Sequence, residues 1–71
     1  MYLDESIKPS DNLPKSIKSN MRQLDEYYFN DDWFAWEQLM DIFDVEVRAL
    51  ASEGKVSESD CDKILKRYGW R

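Results

Sequence analysis

The chain has no histidine and only one cysteine, Cys61, among its 71 residues. An internal disulfide needs a second cysteine, and a zinc site built from Cys and His needs several such ligands. The absence of histidine also removes the most common general base of enzymes. We therefore predict a protein that is not an enzyme and that uses no metal and no cofactor. Cys61 itself is predicted to be a core residue.

Glycine and proline are scarce, with two of each, which argues against a turn-rich β domain. No apolar run approaches the roughly 18 residues that indicate a membrane span. The N-terminal segment lacks the basic and apolar regions of a signal peptide, and a lone thiol is typical of a reducing compartment. We expect a cytoplasmic protein that does not associate with membranes.

Apolar residues recur at helical spacing in three stretches, which predicts an all-α fold. In the first stretch the spacings are 4, 4, 3 and 4, over Leu13, Ile17, Met21, Leu24 and Tyr28. We predict a loose N-terminal arm over residues 1–11 and a single three-helix domain over residues 12–71. The predicted helices span about 13–29, 31–53 and 57–68.

The second helix has a predicted start at Asn30, a residue type that favours the N-cap position. Phe29 and Phe34 would then occupy the two positions of a hydrophobic staple. Gly54 is predicted to follow the helix in a left-handed conformation.

The third helix has a predicted N-cap at Ser57, with Asp60 three residues later in a weak form of the capping box. Val56 and Cys61 would form its hydrophobic staple, and Gly69 would end it.

The second helix carries an unusually wide apolar arc. One seam has spacings of 3, 4, 3, 4 and 3, over Trp33, Trp36, Met40, Phe43, Val47 and Leu50. A second row beside it consists of Ala35, Leu39, Ile42 and Ala49. Together they cover about 200°, twice the usual stripe of about 100°. The helix should therefore pack against both neighbours, with Trp33, Trp36 and Phe43 in the core, or offer part of the arc to a partner or a second copy.

Acidic residues are concentrated in the middle of the chain. The whole chain has a net charge of −5, but residues 25–46 contain eight acids and no base. The same segment contains seven of the ten aromatic residues. Glu37, Asp41 and Asp44 form a stripe opposite the apolar arc, which indicates either a solvated face or a surface for a basic partner.

Two further features of this segment bear on binding. Glu46 falls inside the apolar arc. There it would either pair with a Lys or Arg of a neighbouring helix or bind a cationic side chain of a partner protein. Tyr27 and Tyr28 are adjacent, so one of them should be more exposed than the other. The candidate partner-binding residues are Asp31, Asp32, Glu37, Asp41, Asp44, Glu46, Tyr27 and Tyr28.

These features favour a small acidic protein-binding module whose partner has a basic surface. A sharper hypothesis is an inhibitor of a nucleic-acid-binding protein, of the kind that phages and mobile elements encode, acting as a nucleic-acid mimic. One alternative is a homo-oligomeric scaffold, with a homodimer formed through the apolar arc. Another is a small DNA-binding regulator in which the second and third helices form a helix-turn-helix. Direct nucleic-acid binding is disfavoured because Glu58, Asp60 and Asp62 would repel phosphate, although Lys63, Lys66, Arg67 and Arg71 form a basic end.

Overall fold

A computed structural model describes residues 1–70, in which the chain forms three α-helices. They are α1 (Lys15–Phe29), α2 (Trp33–Ser52) and α3 (Glu58–Arg67). No strand occurs in these 70 residues, so the predicted all-α fold is confirmed. No helix in this part of the chain is long and apolar enough to cross a membrane. Arg71, assigned above to the basic end, lies outside the described residues.

The core is organised around α2, which packs against both α1 and α3. Trp36 and Phe43 are buried as predicted, and Cys61 is 5% exposed and belongs to the same core. The Phe43 ring meets the ring of Tyr68 edge to face, with centroids 6.0 Å apart. Eight side chains are less than 2% exposed: Ile17, Leu24, Met40, Phe43, Val47, Ile64, Leu65 and Tyr68.

The start of α3 agrees closely with its prediction. The Ser57 hydroxyl accepts a hydrogen bond from the backbone N–H of Asp60 at 3.0 Å, which caps the helix. Val56 and Cys61, the predicted staple residues, are both buried. Gly54 follows α2 with a φ of 78°, a left-handed conformation that costs glycine little.

The start of α2 differs from its prediction, because Asp32 and not Asn30 is the N-cap. The Asp32 carboxylate accepts a hydrogen bond from the backbone N–H of Ala35 at 3.3 Å. Asn30 instead ends α1, where its backbone N–H donates to the carbonyl of Glu26 at 2.9 Å. Asp31 lies between them with a φ of 56°, a left-handed conformation that aspartate tolerates better than most residues.

Two predictions about aromatic residues near this turn are wrong. Phe29 and Phe34 are 64% and 59% exposed, so they do not form the predicted staple. Trp33, predicted to lie in the core, is 58% exposed. Phe29 and Phe34 miss the staple positions because the N-cap is Asp32, whereas Trp33 is uncovered because α3 has only 10 residues against the 20 of α2. Trp70, just beyond α3, reaches Trp36 with ring centroids 6.3 Å apart, and Trp33 lies almost one turn further along α2.

The N-terminal arm has no helix or strand, as predicted, but it is anchored to α3. The backbone N–H of Asp4 donates to the Arg67 carbonyl at 2.8 Å, and the Arg67 guanidinium donates to the Ile7 carbonyl at 2.9 Å. The backbone N–H and hydroxyl of Ser10 both donate to the Asp60 carboxylate, at 3.0 and 2.8 Å. The arm therefore covers the outer side of α3 at both of its ends.

A polar cluster joins α1 to α3. The Tyr68 hydroxyl donates to one carboxylate oxygen of Asp25 at 2.8 Å, and Arg67 donates to the other at 3.0 Å. Burial raises the pKa of Tyr68, because its charged form would lose hydration, and its hydrogen bond to Asp25 raises the pKa further. The phenol therefore stays protonated and can act as the donor in this cluster.

Candidate protein-binding surface

Three exposed aromatic residues lie where α1 ends and α2 begins. Phe29, Trp33 and Phe34 are each more than half exposed, and we call them the aromatic corner. The rings of Trp33 and Phe34 meet edge to face, with centroids 6.0 Å apart. A large aromatic side chain has about 150–250 Å² of surface, so the three expose on the order of 300 Å². Since Trp33 and Phe34 are in contact, at least their exposed rings form one apolar patch, and exposed apolar patches on small monomers are often functional.

Carboxylates border the aromatic corner. Asp31 and Asp32 lie in the turn between α1 and α2, and Glu37 and Asp41 follow on α2; all four are exposed. Asp32 uses its carboxylate to cap the helix, and its charge is favoured there by the helix dipole. Since residues 25–46 contain no base, the surface around the aromatic corner is negatively charged.

Two of the predicted site residues already have partners within the chain. Asp44 accepts a hydrogen bond from Arg48 Nε at 2.7 Å, one helical turn further along α2. Glu46 accepts a hydrogen bond from the Asn20 amide at 3.1 Å, at the edge between α1 and α2. The predicted interhelical position of Glu46 is confirmed, but its neighbour there is an amide and not the predicted cation. Glu46 therefore lies apart from Glu37 and the aromatic corner.

Tyr27 and Tyr28 are both half-buried and pack against the core. The Tyr28 ring meets Phe29 edge to face at 5.4 Å, and the Tyr27 carbonyl accepts a hydrogen bond from the Asp32 N–H at 2.8 Å. Both tyrosines therefore connect the turn that carries the aromatic corner to the core. The exposure of the three rings of the aromatic corner was not predicted. The strong helical pattern of the neighbouring residues predicted packed positions for Phe29, Trp33 and Phe34.

Basic residues gather on a different part of the molecule. A shallow concavity of about 520 Å³ lies between the N-terminal arm and α1. Lys8, Lys18, Arg22 and Arg67 contribute to its lining, together with apolar atoms of Met21. Charge is therefore only partly segregated: four bases line this concavity, but so do the two acids Asp11 and Asp25.

No protein-family model matches the chain, and comparison with curated proteins and with solved structures found no significant match. The chemistry of the surface is therefore what supports a functional assignment.

Proposed function

We propose that this protein binds another protein through the aromatic corner and the carboxylates that border it. The observation that carries the proposal is the exposure of Phe29, Trp33 and Phe34 within a segment of eight acids and no base. The partner would offer an apolar pocket for the rings and Lys or Arg residues around that pocket.

The arrangement resembles the general anatomy of protein interfaces. Their centres are depleted of charge and enriched in aromatic residues, and their rims are polar. Tryptophan is among the residues that contribute most to binding energy when it is buried at the centre of an interface. The surrounding carboxylates would accelerate encounter with a positively charged partner and disfavour acidic ones.

A protein that binds nucleic acid is the partner class that the charge favours, because such proteins present basic surfaces to phosphate. By occupying that surface, this chain would act as an antagonist. Glu37 and Asp41 are the residues best placed to replace phosphates, since both are exposed and follow the aromatic corner by about one and about two turns of α2.

One observation weighs against the alternative of a DNA-binding regulator. In a helix-turn-helix, the first residues of the second helix read the bases. Here Ser10 of the N-terminal arm is hydrogen-bonded to Asp60 in the first turn of α3, and Glu58 lies beside it. The arm and the acidic side chains would both oppose the approach of DNA.

The proposal is tested by affinity capture from the source cell with two double variants, Trp33→Ala with Phe34→Ala and Glu37→Lys with Asp41→Lys. We expect each to lose the proteins that the unmodified chain retains, because one removes the apolar centre and the other reverses the charge around it. Asp44 is left unchanged because its substitution would also break the contact with Arg48.

Matched controls use exposed residues far from the aromatic corner. Tyr2→Ala removes another half-exposed ring, and Glu5→Lys with Asp11→Lys reverses two exposed acids of the arm. Both controls should capture the same proteins as the unmodified chain. Capture should also weaken as salt rises from about 0.05 M to about 1 M, because screening shortens the range of the charges. Capture that survives high salt and both site variants would contradict the proposal.

The antagonist version needs a further measurement on each purified partner. We expect the unmodified chain to displace a labelled nucleic acid from that partner in an anisotropy assay, and the Glu37→Lys, Asp41→Lys variant to leave it bound. If the partner holds nucleic acid and this chain together, the chain binds it without acting as a mimic.

A further inference from the structure

The outward face of α2 carries a second seam, which we call the outer seam. Its residues recur at spacings of 3, 4, 3, 4 and 3, the pattern of a helix that pairs with another helix. They are Ala35, Gln38, Ile42, Val45, Ala49 and Ser52. None is charged, Ala35 is half-buried and the other five are exposed. Neither α1 nor α3 covers this face, so the apolar side chains of Ile42 and Val45 remain 66% and 65% exposed.

We propose that the outer seam pairs two copies of this chain, with their α2 helices antiparallel. An antiparallel pair centred near residue 44 places Ile42 of each copy against Val45 of the other. The same register places Gln38 against Ala49 and Ala35 against Ser52 of the second copy. This single register pairs all six residues of the outer seam with residues of the same seam in the second copy. The two Ile42–Val45 pairs lie at its centre.

Charges beside the outer seam support the antiparallel direction. Asp41 and Arg48 immediately precede Ile42 and Ala49, so both lie on the same flank of the seam. In an antiparallel pair, like flanks of the two helices face each other, and Asp41 of each copy meets Arg48 of the other. Arg48 uses its Nε for the contact with Asp44 at 2.7 Å, so its two terminal nitrogens would bind Asp41 of the second copy, and the contact would form twice.

The parallel direction would bring like charges together. In a parallel pair, each residue on the flank that carries Asp41 faces a residue on the other flank of the second copy. The facing residue lies five positions later in the sequence. Asp41 would then face Glu46 of the second copy, and repulsion between the carboxylates would disfavour the pair. Among the residues of α2 itself, the antiparallel direction therefore pairs opposite charges and the parallel direction pairs like charges.

The size of the seam sets the strength expected of the dimer. Stable interfaces bury about 1,200–2,000 Å² in total, and smaller ones are typical of transient association. Each copy contributes two large apolar side chains and several short ones. We therefore expect a reversible dimer, detectable by sedimentation equilibrium between about 10 μM and about 1 mM.

The direct test mixes two variants that should each be monomeric. Asp41→Arg places arginine against arginine in a homodimer, and Arg48→Asp places aspartate against aspartate. In the mixture, each new arginine meets an aspartate, so a heterodimer should form with an affinity close to that of the unmodified dimer. Circular dichroism of each variant alone establishes that both remain folded.

Two further variants separate the seam from the aromatic corner. Ile42→Glu should raise the dimer dissociation constant at least ~100-fold, because it places a charge in both central layers. Phe29→Ser, at an equally exposed residue outside the seam, should leave it unchanged. The proposal is overturned if the unmodified chain is monomeric at about 1 mM, or if the two folded charge variants do not associate when mixed.

Such a dimer would carry its two aromatic corners at opposite ends of the paired helices. A 20-residue helix is about 30 Å long, which sets the approximate separation of the corners. The dimer could therefore engage two sites on an assembled partner and gain avidity. This consequence goes beyond the proposed function, and a monomeric result would leave the tests of Trp33 and Phe34 intact.

Discussion

At the scale of single residues, the polar cluster around Tyr68 connects α1 to the end of α3. The two helices share no close backbone contact, while Asp25 accepts hydrogen bonds from both Tyr68 and Arg67. The Tyr68 hydroxyl also lies 3.3 Å from the Met21 carbonyl. Because these groups are partly shielded from water, each hydrogen bond should be worth more than one at the surface.

Tyr68→Phe should lower the free energy of unfolding by about 1–3 kcal/mol, since it removes a donor to a charged carboxylate without changing the shape of the ring. The measurement is urea unfolding followed by circular dichroism. Tyr2→Phe, at a half-exposed phenol, serves as the matched control and should have little effect. Equal stability of the two variants would mean that the cluster adds nothing to the fold.

The carboxylate of Asp60 should make the free energy of unfolding depend on pH. Its pKa is lowered, first because it accepts the backbone hydrogen bond of Ser10, and then because the hydroxyls of Ser10 and Ser57 also bond to it. A lowered pKa in the folded state means that the unfolded chain takes up the proton first. The stabilising contribution is therefore complete above the unfolded value of about 3.9 and is lost as the pH falls through the folded value.

Asp60→Asn should accordingly lower the melting temperature at neutral pH and flatten its decrease between about pH 5 and about pH 2. Thermal unfolding of both proteins across that range provides the measurement. Parallel curves for the variant and the unmodified chain would show that other carboxylates cause the acid sensitivity.

At the scale of helices, the two starts differ in how well the sequence could predict them. Around α3, the apolar and correctly spaced staple residues Val56 and Cys61 single out Ser57 as the cap. Before α2, both Asn30 and Asp32 are good caps, and local rules alone do not choose between them. The tight turn with Asp31 in a left-handed conformation decides the matter, and that conformation is not encoded by a glycine.

The glycines that follow α2 and α3 allow a matched comparison. Gly54 and Gly69 both have positive φ, but an added Cβ meets nothing within 4 Å at Gly54 and lies 2.9 Å from Tyr2 Cγ at Gly69. Gly54→Ala should lower the free energy of unfolding by about 1–2 kcal/mol, the cost of a left-handed alanine. Gly69→Ala should cost more, because the arm must also move.

Urea unfolding of four proteins separates the two causes: Gly54→Ala, Gly69→Ala, Tyr2→Gly, and Gly69→Ala combined with Tyr2→Gly. Glycine is used at position 2 because Tyr2 Cβ itself lies 3.0 Å from the added Cβ. Measured against Tyr2→Gly, the combined variant should lose only as much stability as Gly54→Ala does. If Gly69→Ala is no costlier than Gly54→Ala in the unmodified chain, the arm does not pack against the end of α3 as described.

At the scale of the whole molecule, the sequence predicted the fold class but not which apolar residues would be exposed. Within the apolar arc of α2, periodicity located the buried residues Trp36, Met40, Phe43 and Val47 correctly. It did not reveal that α3 is too short to cover Trp33, or that Ile42 would face outward between its neighbours. Those outcomes depend on how far one helix reaches along another, which is a property of the tertiary arrangement. The acidic segment was evident from composition, whereas its association with exposed aromatic rings required the structure.

The central claim is that the aromatic corner binds a partner and does not hold the fold together. Trp33 and Trp36 provide the most direct test, because they are nearly one turn apart on the same helix and are 58% and 3% exposed. Trp33→Ala should change the free energy of unfolding by no more than about 0.5 kcal/mol, as expected for a surface residue, while abolishing capture of the partner. Trp36→Ala should cost about 3–5 kcal/mol. If Trp33→Ala destabilises the fold as much as Trp36→Ala, or if it leaves partner capture unchanged, the account is contradicted.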